Sequence, residues 1–139
     1  MARDVFVDSS GLYALADRRD PARVAAETCI ASRIRSGLGL VVTDYVVDEA
    51  CTLAKARAGS YGAQKLLELC ERSQAFRLVW VGPERFEAAK AFFRKHADHD
   101  YSFTDCTSFV VMRELGLREA LTTDGHFAEA GFQPLLSAR

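Results

Sequence analysis

The sequence predicts an α/β fold: a small, doubly wound parallel sheet with helices on both faces. Three observations carry that expectation. Short β-like runs alternate with helical patterns along the whole chain. The first run, Val5-Phe6-Val7, is apolar on consecutive residues, as in a strand buried on both faces. Each run is followed by a helix-length segment, so successive strands need right-handed crossovers, which place helices on both sides of a parallel sheet. With 139 residues and 15.4 kDa, one compact domain over 1–139 is expected. At that size folding buries roughly two-thirds of the unfolded chain's surface, enough for a core without staples.

The elements follow in order. After the first strand, Ser9 or Ser10 caps a helix carrying Leu12, Leu15 and Ala16. Asp20-Pro21 restarts a helix, with Asp at the cap and Pro at the first helical position, running to Ser36-Gly37. Leu40 to Thr43 is the second strand. Helices fit Asp44 to Ala58 and, beyond Gly59-Ser60, Tyr61 to Ser73. Phe76 to Val81 is the third strand, ended by Gly82-Pro83. Pro83 to His96 is an amphipathic helix with Phe86, Ala89 and Phe93 on one stripe. Ser102 to Leu115 is a helix stopped by Gly116, Ala120 to Thr122 the fourth strand, Gly125 to Ala130 a short helix, and Phe132 to Leu136 a last strand.

Composition narrows the function. Hydrophobic residues make up 49% and charged residues 27%, which excludes a disordered chain. The longest unbroken apolar run, Leu12 to Ala16, is far short of the ~20 residues that span a bilayer. Carboxylates interrupt Met1-Ala2-Arg3-Asp4-Val5-Phe6-Val7-Asp8, so it does not read as a signal peptide, and a cytoplasmic location is expected. The net charge of −1 excludes a globally basic nucleic-acid binder and leaves room for a locally basic face. Arg18, Arg19, Arg23, Arg33 and Arg35 gather on the early helices, and Tyr13, Tyr61, Tyr101 and Trp80 belong to core or rim. Cys29, Cys51, Cys70 and Cys106 form no C-x-x-C pair and read as buried thiols.

Ligands of open parallel sheets sit at the carboxyl ends of the strands, and four carboxylates map there. Asp8 follows the first strand and Asp124 the fourth. Glu49 lies in the helix after the second strand, and Asp105 in the first turn of the helix before the fourth. Each has an ordinary structural reading: a cap for Asp8, a turn for Asp124 in Asp-Gly, a solvated edge for Glu49. Ser102-x-x-Asp105 is a capping-box pattern, yet Asp105 shares a helical face with Phe109 and Met112 and so points inward. Asp48 is the inward carboxylate instead of Glu49 if the helix phase shifts by one. Two carboxylates ~4 Å apart at an effective dielectric near 20 repel by ~4 kcal/mol, so four in one cleft call for a cation. Oxygen ligands without a nearby Cys or His cluster suit Mg²⁺ or Mn²⁺, and an acidic pocket of that kind points to phosphate-ester chemistry. His96-x-x-His99 lies at a polar helix exit, where a positive end complements the helix dipole. His126, close to Asp124, is either helix-start polarity or a phosphate contact.

Taken in order, Val5-Phe6-Val7-Asp8-Ser9-Ser10, Thr43-Asp44-Tyr45-Val46-Val47-Asp48-Glu49, Ser102-Phe103-Thr104-Asp105-Cys106 and Leu121-Thr122-Thr123-Asp124 resemble the acidic motifs of PIN-domain nucleases. The resemblance spans essentially the whole chain and is greatest to the VapC-type toxins of VapBC toxin–antitoxin pairs. It implies an Mg²⁺- or Mn²⁺-dependent endoribonuclease acting on single-stranded or structured RNA, with a cognate antitoxin protein and a homodimeric state. Carried over by position, Asp8, Glu49, Asp105 and Asp124 match the catalytic acids. Asp8, Asp105 and Asp124 match the metal ligands, and Ser9 and Thr123 match hydroxyls that flank metal and substrate. His96-Ala97-Asp98-His99-Asp100 and the block through Phe132 look more like a PIN branch not restricted to toxins, which keeps an RNA-processing nuclease without antitoxin as the alternative.

Two rivals from other classes fit less well. A receiver-like signalling domain would need an acidic pair after the first strand, an acceptor Asp after the third and a late Lys. The chain offers Asp8-Ser9-Ser10, Val81-Gly82-Pro83 and no lysine beyond Lys95. A haloacid-dehalogenase-like phosphatase would need a second Asp where Ser10 stands. A PIN fold acting as a non-catalytic RNA-binding subunit sits poorly with an intact acidic quartet.

Overall fold

The structure, a computed structural model, describes residues 4–138; Met1-Ala2-Arg3, where the reading of the leader begins, lies outside the described residues. The elements are β1 (Val5–Val7), α1 (Ser9–Ala16), α2 (Arg23–Arg35), β2 (Leu40–Thr43), α3 (Asp44–Arg72), β3 (Phe76–Val79), α4 (Gly82–Lys95), α5 (Phe103–Leu115), β4 (Glu119–Leu121), α6 (His126–Glu129) and β5 (Gln133–Pro134). They build a five-stranded sheet in the order β3-β2-β1-β4-β5 with every pairing parallel. The chain winds outward from β1 to β3, then returns to lay β4 on the other side of β1. The order therefore reverses between β1 and β4, the switch point where a crevice opens beyond the strand ends.

Burial agrees with that architecture. Val5, Phe6 and Val7 are all fully buried, as is most of β2, so both faces of the central strands are covered. Helix α1 packs on α3 and α4 on α5. The core is filled by Phe6, Phe109, Phe127, Leu12, Leu40, Leu66, Met112 and Leu121. Helix α1 also lies very close to β4: a Cβ on Gly11 would meet the Leu121 carbonyl oxygen at 2.1 Å. Glycine is what lets the helix after Asp8 settle onto the strand before Asp124. No helix among the described residues is long and apolar enough to cross a membrane.

Several boundaries differ from the sequence expectation. Helix α2 starts at Arg23, not at Pro21; the Asp20 carboxylate accepts the Ala22 N–H at 2.8 Å and closes a turn instead of capping a helix. The two helices expected on either side of Gly59-Ser60 are both present within α3 and meet at a kink at Gly59 (φ 75°, ψ −177°), where the backbone is not helical. That conformation is essentially restricted to glycine, so the break falls where the Gly-Ser pair puts it. Strand β3 ends at Val79, and β5 covers only Gln133–Pro134, because an edge strand stops where its neighbour's ladder stops. All four cysteines are free, but only Cys106 is fully buried; Cys29, Cys51 and Cys70 are partly exposed on their helices.

Candidate metal centre

Asp8 is positioned by both neighbours of the switch point. Its N–H donates to the Leu121 carbonyl at 3.2 Å, tying the end of β1 to the end of β4. It occupies the cap position of α1, yet its side chain caps nothing. Instead, Oδ2 accepts hydrogen bonds from the Thr122 hydroxyl at 2.8 Å and the Ser10 hydroxyl at 3.0 Å. Those hydroxyls receive in turn: Thr122 Oγ1 accepts the Asp124 N–H at 2.9 Å, and Ser10 Oγ accepts the Thr123 N–H at 3.0 Å. One carboxylate oxygen thus organises the whole loop after β4.

Asp105 is both things the sequence set against each other. Ser102 and Asp105 form a reciprocal capping box, with Ser102 Oγ accepting the Asp105 N–H and Asp105 Oδ2 accepting the Ser102 N–H, each at 3.0 Å. Asp105 also points inward, only 5% exposed, on the same face as buried Phe109 and Met112. Asp124 behaves likewise: its Oδ1 accepts the His126 N–H at 2.9 Å, the turn expected of Asp-Gly, and it still joins the cluster. His126 Nδ1 lies 3.1 Å from Asp105 Oδ2 and 3.3 Å from Asp124 Oδ1. One donor atom from each of Asp105, Asp124 and His126 lie within 4.8 Å of one another.

Glu49 reaches the same crevice through Ser9, whose hydroxyl donates to Glu49 Oε1 and stands 3.4 Å from Asp8 Oδ1. A hydroxyl carries one proton, so Ser9 serves one of the two acids at a time and holds Glu49 and Asp8 side by side. Asp48 is exposed and Glu49 partly buried, which settles the helix phase in favour of Glu49. Thr123 is buried beside Asp124, while Asp98 and Asp100 are exposed. His99 stacks on Tyr101 at 4.7 Å and faces Glu129 at 3.2 Å; among the described residues it and His96 join no metal-type cluster. Arg23 pairs with Glu27, Arg33 with Glu119 and Arg19 with Asp17; Arg18, Arg19 and Arg35 are exposed, the first two beside a cleft lined by Tyr61 and Lys65. Tyr13 and Tyr101 are buried, whereas Tyr61 (75% exposed) and Trp80 (66%) stand at the rim. Sequence reasoning missed Ser10 and Thr122; their signal was a hydroxyl next to each acidic motif.

The electrostatics express the crowding. Burial, resisted by the Thr122 hydroxyl and the Ser9 N–H and reinforced by the charge of Asp105, pushes the Asp8 carboxyl from 3.8 up to about 6. Burial likewise raises Asp105, partly offset by the Ser102 N–H, with Asp124 adding repulsion. Burial works against the charged form of His126, but the bond to Asp105 and the charge of Asp124 outweigh it, and its pKa rises. Among the described residues no Lys or Arg pairs with these acids; His126 is their one cationic neighbour.

The donor set fits a divalent cation. One oxygen of each acid is fixed by the chain: Asp8 Oδ2 by the Thr122 and Ser10 hydroxyls, Asp105 Oδ2 by the Ser102 N–H and Asp124 Oδ1 by the His126 N–H. Each oxygen has two lone pairs, so carboxylates held in this way still offer lone pairs to an ion. Hard oxygen donors suit a hard ion.

Comparison with known proteins agrees. Residues 5–133 match the PIN domain. The 23S rRNA-specific endonuclease VapC20 of Mycobacterium tuberculosis is 32% identical over 128 residues, 92% of this chain and 95% of that protein. The crystal structure of Mycobacterium tuberculosis VapC20, a sarcin-ricin loop cleaving toxin, superposes with a TM-score of 0.87 at 30% identity, covering 96% of this chain and 99% of that one. At the level of fold alone, FitAcB from Neisseria gonorrhoeae is similar, with a TM-score of 0.64 at 12% identity over 94% of each chain. PAE2754 from Pyrobaculum aerophilum matches at 0.63 and 20%, over 97% of this chain and 91% of that one. With the domain matched through 5–133 and 32% identity carried across 92% of the sequence, the chain belongs to the PIN-domain family of nucleases, enzymes that hydrolyse phosphodiester bonds with a divalent metal.

Proposed function

We infer that the protein is a cytoplasmic endoribonuclease using Mg²⁺ or Mn²⁺, cutting structured or single-stranded RNA of the kind named for VapC20, and serving as the toxin of a VapBC-type pair with a cognate antitoxin. The observation that supports this reading is the clustering of Asp105 and Asp124 with His126 within 4.8 Å at the strand-order switch, with Asp8 tied to the Asp124 loop through Thr122 and Glu49 brought beside Asp8 by Ser9. Asp8, Asp105 and Asp124 would hold the ion. When bound, it supplies Lewis-acid polarisation of the scissile phosphate and acidifies an attacking water.

The side chains divide the remaining work. Glu49, oriented by the Ser9 hydroxyl, accepts the proton of the attacking water as general base. Thr123 and Ser9 stand where a substrate phosphate meets the acids. Thr122 and Ser10 hold Asp8 and the β4 loop in one geometry, so that the ligands need no rearrangement. Arg18 and Arg19 offer charge to an RNA backbone, and exposed Tyr61 a face for a base. No covalent enzyme intermediate is needed. A homodimer through the helical faces would bring two such crevices into one groove.

The test is direct. Purified protein is incubated with 23S rRNA and with single-stranded RNA, with Mn²⁺, with Mg²⁺ and with EDTA. Metal-dependent cleavage that EDTA stops supports the reading, and absence of cleavage of every RNA with either ion overturns it. Co-purification with a small protein encoded immediately upstream tests the antitoxin.

A further inference from the structure

His126 belongs to none of the four acidic motifs, yet it is where the geometry of the centre is tightest. Its Nδ1 stands 3.1 Å from one anionic oxygen and 3.3 Å from another. With Nδ1 protonated these are a hydrogen bond to Asp105 and an ion-pair contact to Asp124; with Nδ1 unprotonated, its lone pair faces the same two carboxylates, and all three donor atoms lie within 4.8 Å of one another. The unprotonated form has the spacing of ligands that share an ion. In octahedral coordination with bonds of about 2.1 Å, adjacent donor atoms lie about 3.0 Å apart, close to both spacings.

The two oxygens facing Nδ1 are also prepared for that role. Asp105 Oδ2 already accepts the Ser102 N–H at 3.0 Å, and Asp124 Oδ1 the His126 N–H at 2.9 Å. A carboxylate oxygen has two lone pairs, so in each case a backbone donor fixes one and leaves the second directed at the imidazole. The ring itself is braced, its plane set edge-to-face against buried Tyr101 at 5.5 Å. Tyr101 is in turn stacked by His99 at 4.7 Å.

Resting on the metal-centre reading above, we propose that His126 is a direct metal ligand through Nδ1, completing an N/O face with Asp105 and Asp124 that selects Mn²⁺ over Mg²⁺. Mg²⁺ demands oxygen donors and sheds its waters reluctantly, whereas imidazole suits first-row transition ions. Of the two ions an acidic crevice admits, the nitrogen donor favours Mn²⁺.

The experiment loads the full chain with one equivalent of Mn²⁺ and records pulsed electron paramagnetic resonance. The chain has three histidines, His96, His99 and His126. Wild type should show nitrogen coupling from a directly bound imidazole, converted to the ¹⁵N pattern in protein grown with ¹⁵N-histidine. His126→Gln should abolish the coupling, and His99→Gln should keep it. Calorimetric titration should show the Mn²⁺ to Mg²⁺ affinity ratio falling roughly tenfold in His126→Gln, the lower end of what losing even an outer partner costs. Mn²⁺ bound without nitrogen coupling, or an unchanged affinity ratio in His126→Gln, overturns the assignment while leaving the acidic centre intact. No Mn²⁺ binding by wild type overturns both. The wild-type spectrum decides without any variant, so a folding defect in His126→Gln cannot obscure the answer.

Discussion

At the amino-terminal edge of the sheet, Asp4 accepts the Gly39 N–H at 3.0 Å and Glu119 pairs with Arg33 at 2.9 Å. At the carboxyl-terminal edge, Asp8 and Asp105 are 4% and 5% exposed and, with Asp124, have only His126 as a cationic neighbour among the described residues. The same residue types are ordinary surface chemistry at one end and a concentration of buried charge at the other. The helix ends do not make up the difference: α1 starts beside Asp8 and α5 beside Asp105, but a helix N-terminus contributes only about 0.3–1 kcal/mol to a nearby anion. Folding alone would favour the paired arrangement at both ends. The contrast sets the edge where the proposed ion would sit apart from the edge whose acids are paired within the fold.

The largest effect should come from removing charge at the crowded edge. Asp8→Asn and Asp105→Asn should each lower RNA cleavage by orders of magnitude, measured as initial rates in saturating Mn²⁺ on protein shown free of contaminating nuclease. Wild-type rates in either variant would dissolve the functional half of the comparison.

Next comes the cost of burying a carboxylate at that edge, with the charge of Asp105 adding to it, read as stability against pH in EDTA. With its folded pKa at about 6 against an ordinary 3.8, Asp8 binds more proton folded than unfolded between those values. Its contribution is therefore complete below about pH 4 and is lost as pH rises through about 6, roughly 3 kcal/mol in all. Thermal melts of metal-free protein should show that decline, and Asp8→Asn should flatten it and raise Tm at neutral pH. Mn²⁺ should restore about 2.7 kcal/mol at a hundred times its dissociation constant. A profile in EDTA that is flat from pH 4 to 6 would mean that burial does not hold the Asp8 carboxyl above its ordinary range.

Gly11→Ala tests the link between the strands that carry Asp8 and Asp124. A Cβ there would lie 2.1 Å from a backbone oxygen that no side-chain rotation can move. The expected loss is about 2–3 kcal/mol in chemical denaturation. Wild-type stability would show that α1 can lift away from β4. The smallest effect belongs to the amino edge. Arg33→Ala removes a half-exposed ion pair, so about 1 kcal/mol or less should be lost, with cleavage unchanged. A cleavage defect from Arg33→Ala would mean that the two ends are coupled.

The legible parts of the molecule were those written in local chemistry. Val5-Phe6-Val7 announced a central strand, and the four acids stood next to recognisable strand and helix ends. Where expectation and structure parted, a neighbour distant in sequence decided. Asp20 reads as a cap from Asp-Pro alone, yet its carboxylate closes a turn on Ala22 and the helix begins later. Cap and inward-facing acid read as alternatives for Asp105, but Oδ2 accepts the Ser102 N–H and still faces His126, so one side chain does both. Ser10 and Thr122 looked like neighbours of the motifs, and their work appears only when β4 is laid beside β1.

From the sequence by itself came the alternation that dictates a parallel α/β sheet, the break at Gly59, and the identity of the acids at its carboxyl edge. Those depend on backbone preference and side-chain periodicity, which act within a turn or a strand. Tertiary structure alone decided that Thr122 donates to Asp8 across 114 positions, that Ser9 divides its attention between Glu49 and Asp8, and that His126 comes to lie between Asp105 and Asp124. Each of those contacts depends on which strand lies beside which, and strand order is set by how the crossovers close in space, a property that no local window of residues contains.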